Sequence, residues 1–160
     1  AVIDDNWITL GKDEALPAQR IDAGEQVILP LALWLAHRGE LAGKANIAVW
    51  LDSDEEPAKL CEPGFDCNTL PLIAINFPVF ADGRGYSYAR QLREHYGYSG
   101  ELRAVGDVLR DQLYFYQRCG FNSYALRADC DTEAALASLQ DFTQSYQAAN
   151  DNRVPVFRQR

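Results

Sequence analysis

NIAVWL at residues 46–51, LPLIAINF at 70–77 and ELRAVG at 101–106 decide the fold of this chain. The first two are short, nearly continuous apolar runs, the pattern of strands buried on both faces, and the third is an otherwise apolar strand with a charged pair at its start. Between and after them lie polar or amphipathic stretches: DSDEEPAKLC (52–61), an acidic turn and short helix; GRGYSYARQLREHYG (83–97); DVLRDQLYFYQRCG (107–120); and TEAALASLQDFTQSYQ (132–147), which follows a last strand in SYALRA (123–128). Strands alternating with helices predict right-handed βαβ crossovers and a mainly parallel sheet of about four βα units. The rhythm fits an open doubly wound sheet or an incomplete TIM-like barrel, because the chain is too short for eight full units.

Upstream, Trp7–Leu10 and Gln26–Leu29 are short β signals that read as an N-terminal arm or hairpin over residues 1–29. Pro30 fits the first turn of a helix, LALWLAHRGEL (31–41), with Gly39 and Gly43 as stop signals. That helix is apolar nearly all round, so it is buried or covers a partner. Residues 151–160, DNRVPVFRQR, have no period and read as an extended tail.

Composition narrows the function classes. With 160 residues, 48% apolar content and 11% aromatics, there is material for one core, hence a single α/β domain over 1–160. A net charge of −8 disfavours phosphate backbones and anionic membranes, so no nucleic acid is expected as a partner. The longest apolar run, Val27–Ala36, is about half the roughly 20 residues a membrane span needs, so no membrane partner is expected either. The first residues, AVIDDNW, carry acids where a secretory signal has basic residues and then an apolar stretch; Ala1 reads as what remains after an initiator, or a cleaved signal, is removed. The expected location is cytoplasmic.

Cys61, Cys67, Cys119 and Cys130 sit in unlike contexts, and Cys61 and Cys67 are spaced too widely for a metal knuckle and have no nearby histidine. They read as reduced thiols; Cys61 and Cys67 would close a small disulfide loop in an oxidising compartment. No metal site is expected. The acidic run at 52–56 reads as a solvated turn preceding a helix start, and neither His37 nor His95 belongs to a catalytic order.

The chemistry-bearing residues crowd between Phe80 and Gly120, at the ends of two βα units, where α/β proteins place their sites. After the strand at 70–77, Asp82, Gly83, Arg84 and Gly85 form a turn, and Tyr86 and Ser87 open a helix. Two glycines permit close backbone approach, a helix start offers free N–H groups, and Arg84 adds a fork of donors, which together suit a small oxyanion. The plainer reading has Asp82 capping the helix and Arg84 paired with a carboxylate. No Gly-Lys-Ser/Thr follows, so this is not a P-loop, and the dinucleotide fingerprint is absent too. No cofactor is expected.

Glu101 and Arg103 lie two apart on a strand and share a face, so they form an ion bridge, with Arg90 or Arg93 as further members, or Arg103 points to the ligand. On the next helix Gln112 falls in an apolar stripe with Val108, Phe115 and Cys119, where a buried amide needs a hydrogen-bond partner and would hold a loop or a ligand. Asp107 reads as the helix cap. Asp82, Asp107 and Asp111 are the acid/base candidates, provided burial raises a pKa.

FADGRGYSYARQLRE (80–94), GYSGELRAVGDVLRDQLYFYQRCGF (97–121) and DFTQSYQ (141–147) resemble a bacterial family of small proteins of unknown function, over roughly residues 27–160. Members of that family are encoded beside the haem-containing sulfite or nitrite reductase of assimilatory sulfate reduction and carry an oxidoreductase label from that company. The resemblance implies an accessory protein of sulfite reduction, in sulfur assimilation and cysteine biosynthesis, that contacts the sulfite reductase, its electron donor or a small oxyanion. The alternative is a small enzyme for an anionic metabolite, with Arg84 and Arg103 as anion clamps and Asp82, Asp107 or Asp111 as acid or base.

Overall fold

Alternation along the central strands sends Ile47, Val49, Leu51, Ile73, Ile75 and Phe77 to one side and Ala48, Trp50, Leu72, Ala74 and Asn76 to the other. In the computed structural model, which describes residues 1–61, 64–140, 147–155 and 158, these strands are the middle of a six-stranded sheet. Among the described residues the strands are β1 (Ile8–Thr9), β2 (Val27–Pro30), β3 (Ile47–Leu51), β4 (Leu72–Phe77), β5 (Glu101–Gly106) and β6 (Ser123–Tyr124). They lie in chain order, and every neighbouring pair is parallel. The helices are α1 (Ala18–Asp22), α2 (Leu31–Leu41), α3 (Pro57–Leu60), α4 (Arg84–Arg90), α5 (Leu113–Cys119) and α6 (Thr132–Ser138).

Strictly sequential order separates the two architectures left open by the local pattern. A doubly wound sheet reverses its strand order and carries helices on both faces; right-handed crossovers in one unreversed order stack every helix on the same face. The buried helical residues Ile21, Trp34, Leu60, Leu92, Leu113, Tyr116 and Ala135 belong to one core cluster with one face of the sheet. The opposite face holds a small cluster of strand residues only, Ile28, Ala48, Leu72 and Ala74, flanked by Trp7, Trp50 and Val105. The protein is a curled, open wall of parallel strands, an incomplete barrel.

The N-terminal β signals enter this sheet. Trp7–Leu10 and Gln26–Leu29 supply β1 and β2, which pair in parallel with Ile8 opposite Val27, not as a hairpin, because α1 carries the chain back to the starting edge. Pro30 is the last residue of β2, and α2 begins one residue later with Leu31, Trp34 and Leu41 buried. The segment ahead of β1 passes over the open face: Asp5 bonds Arg103 of β5, and Ala1–Ile3 line a cleft with Ser123 and Tyr124 of β6.

The helix expected over 83–97 forms as α4 followed by a π turn, Gln91–His95. From within that turn Arg93 donates to the carbonyl oxygens of Gly120, Tyr98 and Gly100 at 2.7–2.9 Å, so it serves the backbone and not Glu101. The helix expected from Asp107 starts later. Val108 N–H folds back to the Gly106 carbonyl and Leu109 is extended, so a 3₁₀ turn, Arg110–Gln112, leads into α5. Its buried stripe is Leu113, Tyr116 and Cys119, and Phe115 is exposed. Of the closing helix expected over 132–147, α6 covers Thr132–Ser138; positions 141–146, and 156, 157, 159 and 160 of the tail, lie outside the described residues. Among the described residues no helix is long and apolar enough to cross a membrane.

Candidate functional site

The C-terminal ends of β1, β3, β4 and β5 come together along one rim of the curled sheet, the edge at which parallel α/β folds carry their chemistry. Each strand delivers a polar group there, because the chain leaves the sheet at that point and its side chains regain access to water. β1 is followed by Lys12, β3 by Asp52 and Ser53, β4 ends on Asn76 and Phe77 and is followed by Pro78–Gly83, and β5 is followed by Asp107.

Two ion pairs organise the rim. Lys12 Nζ lies 2.5 Å from Asp52 Oδ2, and the other oxygen of Asp52 accepts from Asn76 Nδ2 and from the Ser53 N–H, both at 2.9 Å. Partial burial pushes the Asp52 carboxyl up, but these donors, Lys12 first among them, outweigh it and hold it below its ordinary value. Arg84 forms a fork onto Asp82, with Nε to Oδ1 at 3.0 Å and Nη2 to Oδ2 at 2.7 Å, while the Arg84 N–H donates to Asp82 Oδ1. Hydrogen bonding from that guanidinium holds Asp82 well below the usual carboxylate range.

Ser53 joins the pairs. Its N–H serves Asp52, its Oγ accepts from Arg84 Nη2 at 3.0 Å, and its carbonyl accepts from the buried Tyr88 hydroxyl at 2.9 Å. The acidic turn and the DGRG turn are therefore one hydrogen-bonded unit. Acids outnumber cations in it: Asp52, Asp54, Glu55, Glu56 and Asp82 against Lys12 and Arg84.

Beside this unit the rim is apolar and exposed. Val79 and Phe80, in the turn after β4, are 55% and 58% exposed, and Phe115 of α5 is 54% exposed with its ring 4.7 Å from that of Tyr86. Asp107 fixes the turn from below, since it accepts the Phe80 N–H at 2.9 Å and an Arg127 Nη1 bond at 3.0 Å. It is a loop clamp, and the cap position expected for it vanishes with the delayed helix start.

The sequence candidates are thereby spread apart. Arg84 and Asp82 satisfy each other, so the anion at the start of α4 is the chain's own carboxylate. Gly83 is open to solvent, but Gly85 is buried, and a Cβ there would sit 2.6 Å from the Phe77 ring; it lets α4 approach β4 and does not face a ligand. Ser87 is exposed on α4. Arg103 is 4% exposed on the open face of β5, distant from the rim, and is held by Glu101, Asp5 and Ser123. Its ion bridge with Glu101 forms within the pair and with Asp5, while Arg90 pairs with Glu94. Asp111 is exposed beside Arg110. Gln112 is half-buried, with its Oε1 buried and unpartnered among the described residues.

Three clefts, of about 750, 670 and 550 Å³, are lined by other residues, with none of Asp82, Arg84, Arg103, Asp107 or Asp111 among them. Asp82 and Asp52 are pushed in the direction opposite to that needed by a general acid near neutrality. Among the described residues no group of three or more His, Cys, Asp or Glu side chains is arranged for a metal ion.

Lys12, Ser53 and Asn76 were not singled out by sequence reasoning. Asn76 did carry a signal, as a polar residue near the end of an otherwise apolar strand; Lys12 and Ser53 look like ordinary turn residues.

Fold and rim define a class: a singly wound, incomplete α/β barrel whose strand ends carry self-paired charges beside exposed aromatics. Residues 48–157 match the family described as bacterial protein of unknown function (DUF934), and the chain belongs to that family. No curated protein and no solved structure matches the chain.

Proposed function

We propose that this protein is an accessory protein of assimilatory sulfite reduction that docks through the rim at the strand C-terminal ends onto the sulfite reductase or its electron donor. The observation that carries the docking part is the exposed apolar group Val79, Phe80 and Phe115 beside a rim in which acids exceed cations. Aromatic side chains exposed on a polar border are the composition of a protein-binding patch, and the surplus of acid selects a basic partner surface. The link to sulfite reduction is supported by the resemblance of the segments at 80–94 and 97–121 to proteins encoded beside the reductase.

The small-enzyme alternative is less well supported, because its anion clamps and its acids are separated and already paired. An oxyanion at the DGRG turn would have to displace Asp82 from Arg84 against the surrounding acids.

The test is association of the purified protein with purified reductase and donor, followed by light scattering and by reductase turnover. Binding that weakens with salt and is lost in Phe80→Asp is expected. Absence of association, together with unchanged turnover, overturns the proposal. A melting-temperature shift with sulfite, sulfate or phosphate that disappears in Arg84→Ala would favour the enzyme alternative instead.

A further inference from the structure

At the edge of the sheet opposite the rim, the turns that lead into β5 and β6 border the cleft of about 750 Å³. Tyr98 and Ser99 come from the first turn, Gly120, Phe121 and Asn122 from the second, and Arg93 spans both. Arg93 lies in the π turn, an irregularity that recurs at functional sites. Its stem crosses Gly120, where φ is +114° and a Cβ would sit 2.6 Å from Arg93 Cγ, and its guanidinium carbon lies 5.4 Å from the centre of the Tyr98 ring. Nε donates to the Gly120 carbonyl and Nη1 to those of Tyr98 and Gly100, while Nη2 makes no hydrogen bond among the described residues.

No carboxylate of the described residues pairs with Arg93, and burial pulls the guanidinium below its ordinary value. Carbonyl dipoles hold the cation in place without neutralising it, so an anion from outside would be stabilised there. The surroundings agree. Asn122 takes the Leu102 N–H on Oδ1 and leaves Nδ2 with only a 3.5 Å contact to the Gly100 carbonyl. Arg153 is exposed at the border, and Asp151 is taken by Arg118. Cations therefore exceed acids around this cleft, in a chain of net charge −8.

We propose that this cleft binds a small organic anion, a carboxylate or phosphate on an apolar body, with the anionic group on Arg93. The guanidinium is already fixed by its other bonds, so presenting Nη2 costs little entropy. Asn122 Nδ2 and Arg153 are the further donors. The volume is that of an organic-ligand pocket, and Phe121 and Tyr124 line it for the apolar body. The site is separate from the docking rim and does not rest on it.

The test follows backbone amides of the full chain by NMR as benzoate, phenyl phosphate or inorganic phosphate is added to about 10 mM, well above the roughly 1 mM dissociation constant of a weak ligand. Saturable shifts at residues 97–100 and 120–122 are expected with at least one organic anion, at least about threefold tighter than with inorganic phosphate. The tighter of the two organic anions identifies the head group. Asn122→Asp keeps an acceptor for the Leu102 N–H but puts a negative charge in the cleft, and is expected to weaken binding at least about tenfold. Arg93→Met is expected to abolish it, and Asn122→Asp decides the matter if that variant does not fold. No saturable shift with either organic anion, shifts confined to the DGRG turn, equally tight inorganic phosphate, or undiminished binding by Asn122→Asp each overturns the assignment.

Discussion

Arg103 Nη1 donates to Asp5 Oδ2 at 2.9 Å, joining residues 98 positions apart in the chain. Asp5 precedes the edge strand β1, while Arg103 is on β5, four strands away, a separation of roughly 19 Å across a flat sheet. Curl brings them together. The bond fastens the residues ahead of β1 over the open face of the incomplete barrel.

Removal of the buried partner is the more damaging half of this contact. Arg103→Met keeps the apolar stem but leaves Glu101 without its two donors and Ser123 without its partner, and is expected to cost about 1–3 kcal/mol in urea unfolding. Asp5→Asn is expected to cost less than about 1 kcal/mol, because Asp5 is nearly half exposed and Arg103 retains Glu101. Equal losses would show that Asp5 does more than fasten the N-terminal segment.

Asp82 has its pKa depressed in the folded state by Arg84, so its contribution to stability is fully present above the unfolded value of about 3.9 and is lost as pH falls towards the folded value. Arg84→Ala is therefore expected to be less stable than wild type at neutral pH, with the gap narrowing as the pH drops below about 4. Paired thermal melts across that range check it. A gap independent of pH would mean that the bond to Ser53, not the ion pair, carries the effect.

Three glycines near the site should respond in a set order. A Cβ on Gly106, where φ is +93°, would meet the Phe77 carbonyl at 2.4 Å and Asn76 Oδ1 at 2.5 Å; backbone cannot give way, so Gly106→Ala is expected to cost more than about 2 kcal/mol. Gly85→Ala crowds the Phe77 ring and Ile75 and is expected to cost about 1–3 kcal/mol. Gly83→Ala meets nothing nearer than the Tyr86 ring at 4.0 Å and is expected to fall within about 0.5 kcal/mol of wild type. Chemical denaturation of the series measures all three.

Phe80→Asp and Phe115→Ser change side chains that are more than half exposed, so each is expected to leave folding stability within about 0.5 kcal/mol of wild type. That separates a loss of partner binding from a loss of fold. A large drop in the melting temperature of Phe80→Asp would place Phe80 in the packing of its turn.

Much of the fold was legible because strands such as NIAVWL and LPLIAINF declare themselves locally, through apolar runs bounded by turn residues, and the helices through their 3.6-residue period. The same reading located the DGRG turn at a strand end and offered, as its plainer explanation, Asp82 as helix cap and Arg84 paired with a neighbouring carboxylate; the structure makes Asp82 itself that carboxylate. It put Asp107 in the wrong role, since a cap looks the same in sequence as a carboxylate that clamps a loop through Phe80 N–H. It also placed Arg84 and Arg103 in one site, because both fall in the polar stretch between Phe80 and Gly120, although their side chains serve different parts of the sheet.

The amino-acid sequence by itself determined the alternation of strands and helices, the parallel pairing that such alternation demands, the buried faces of β3 and β4, and the surplus of acid on the turn after β3. These follow from interactions among residues within a few positions of one another. Only the tertiary structure decided that six strands lie in unreversed order, that the sheet curls without closing, and that Arg84 finds Ser53 and Arg103 finds Asp5. Strand order and curl bring distant segments together, and no local periodicity records which partner a charged side chain will meet there.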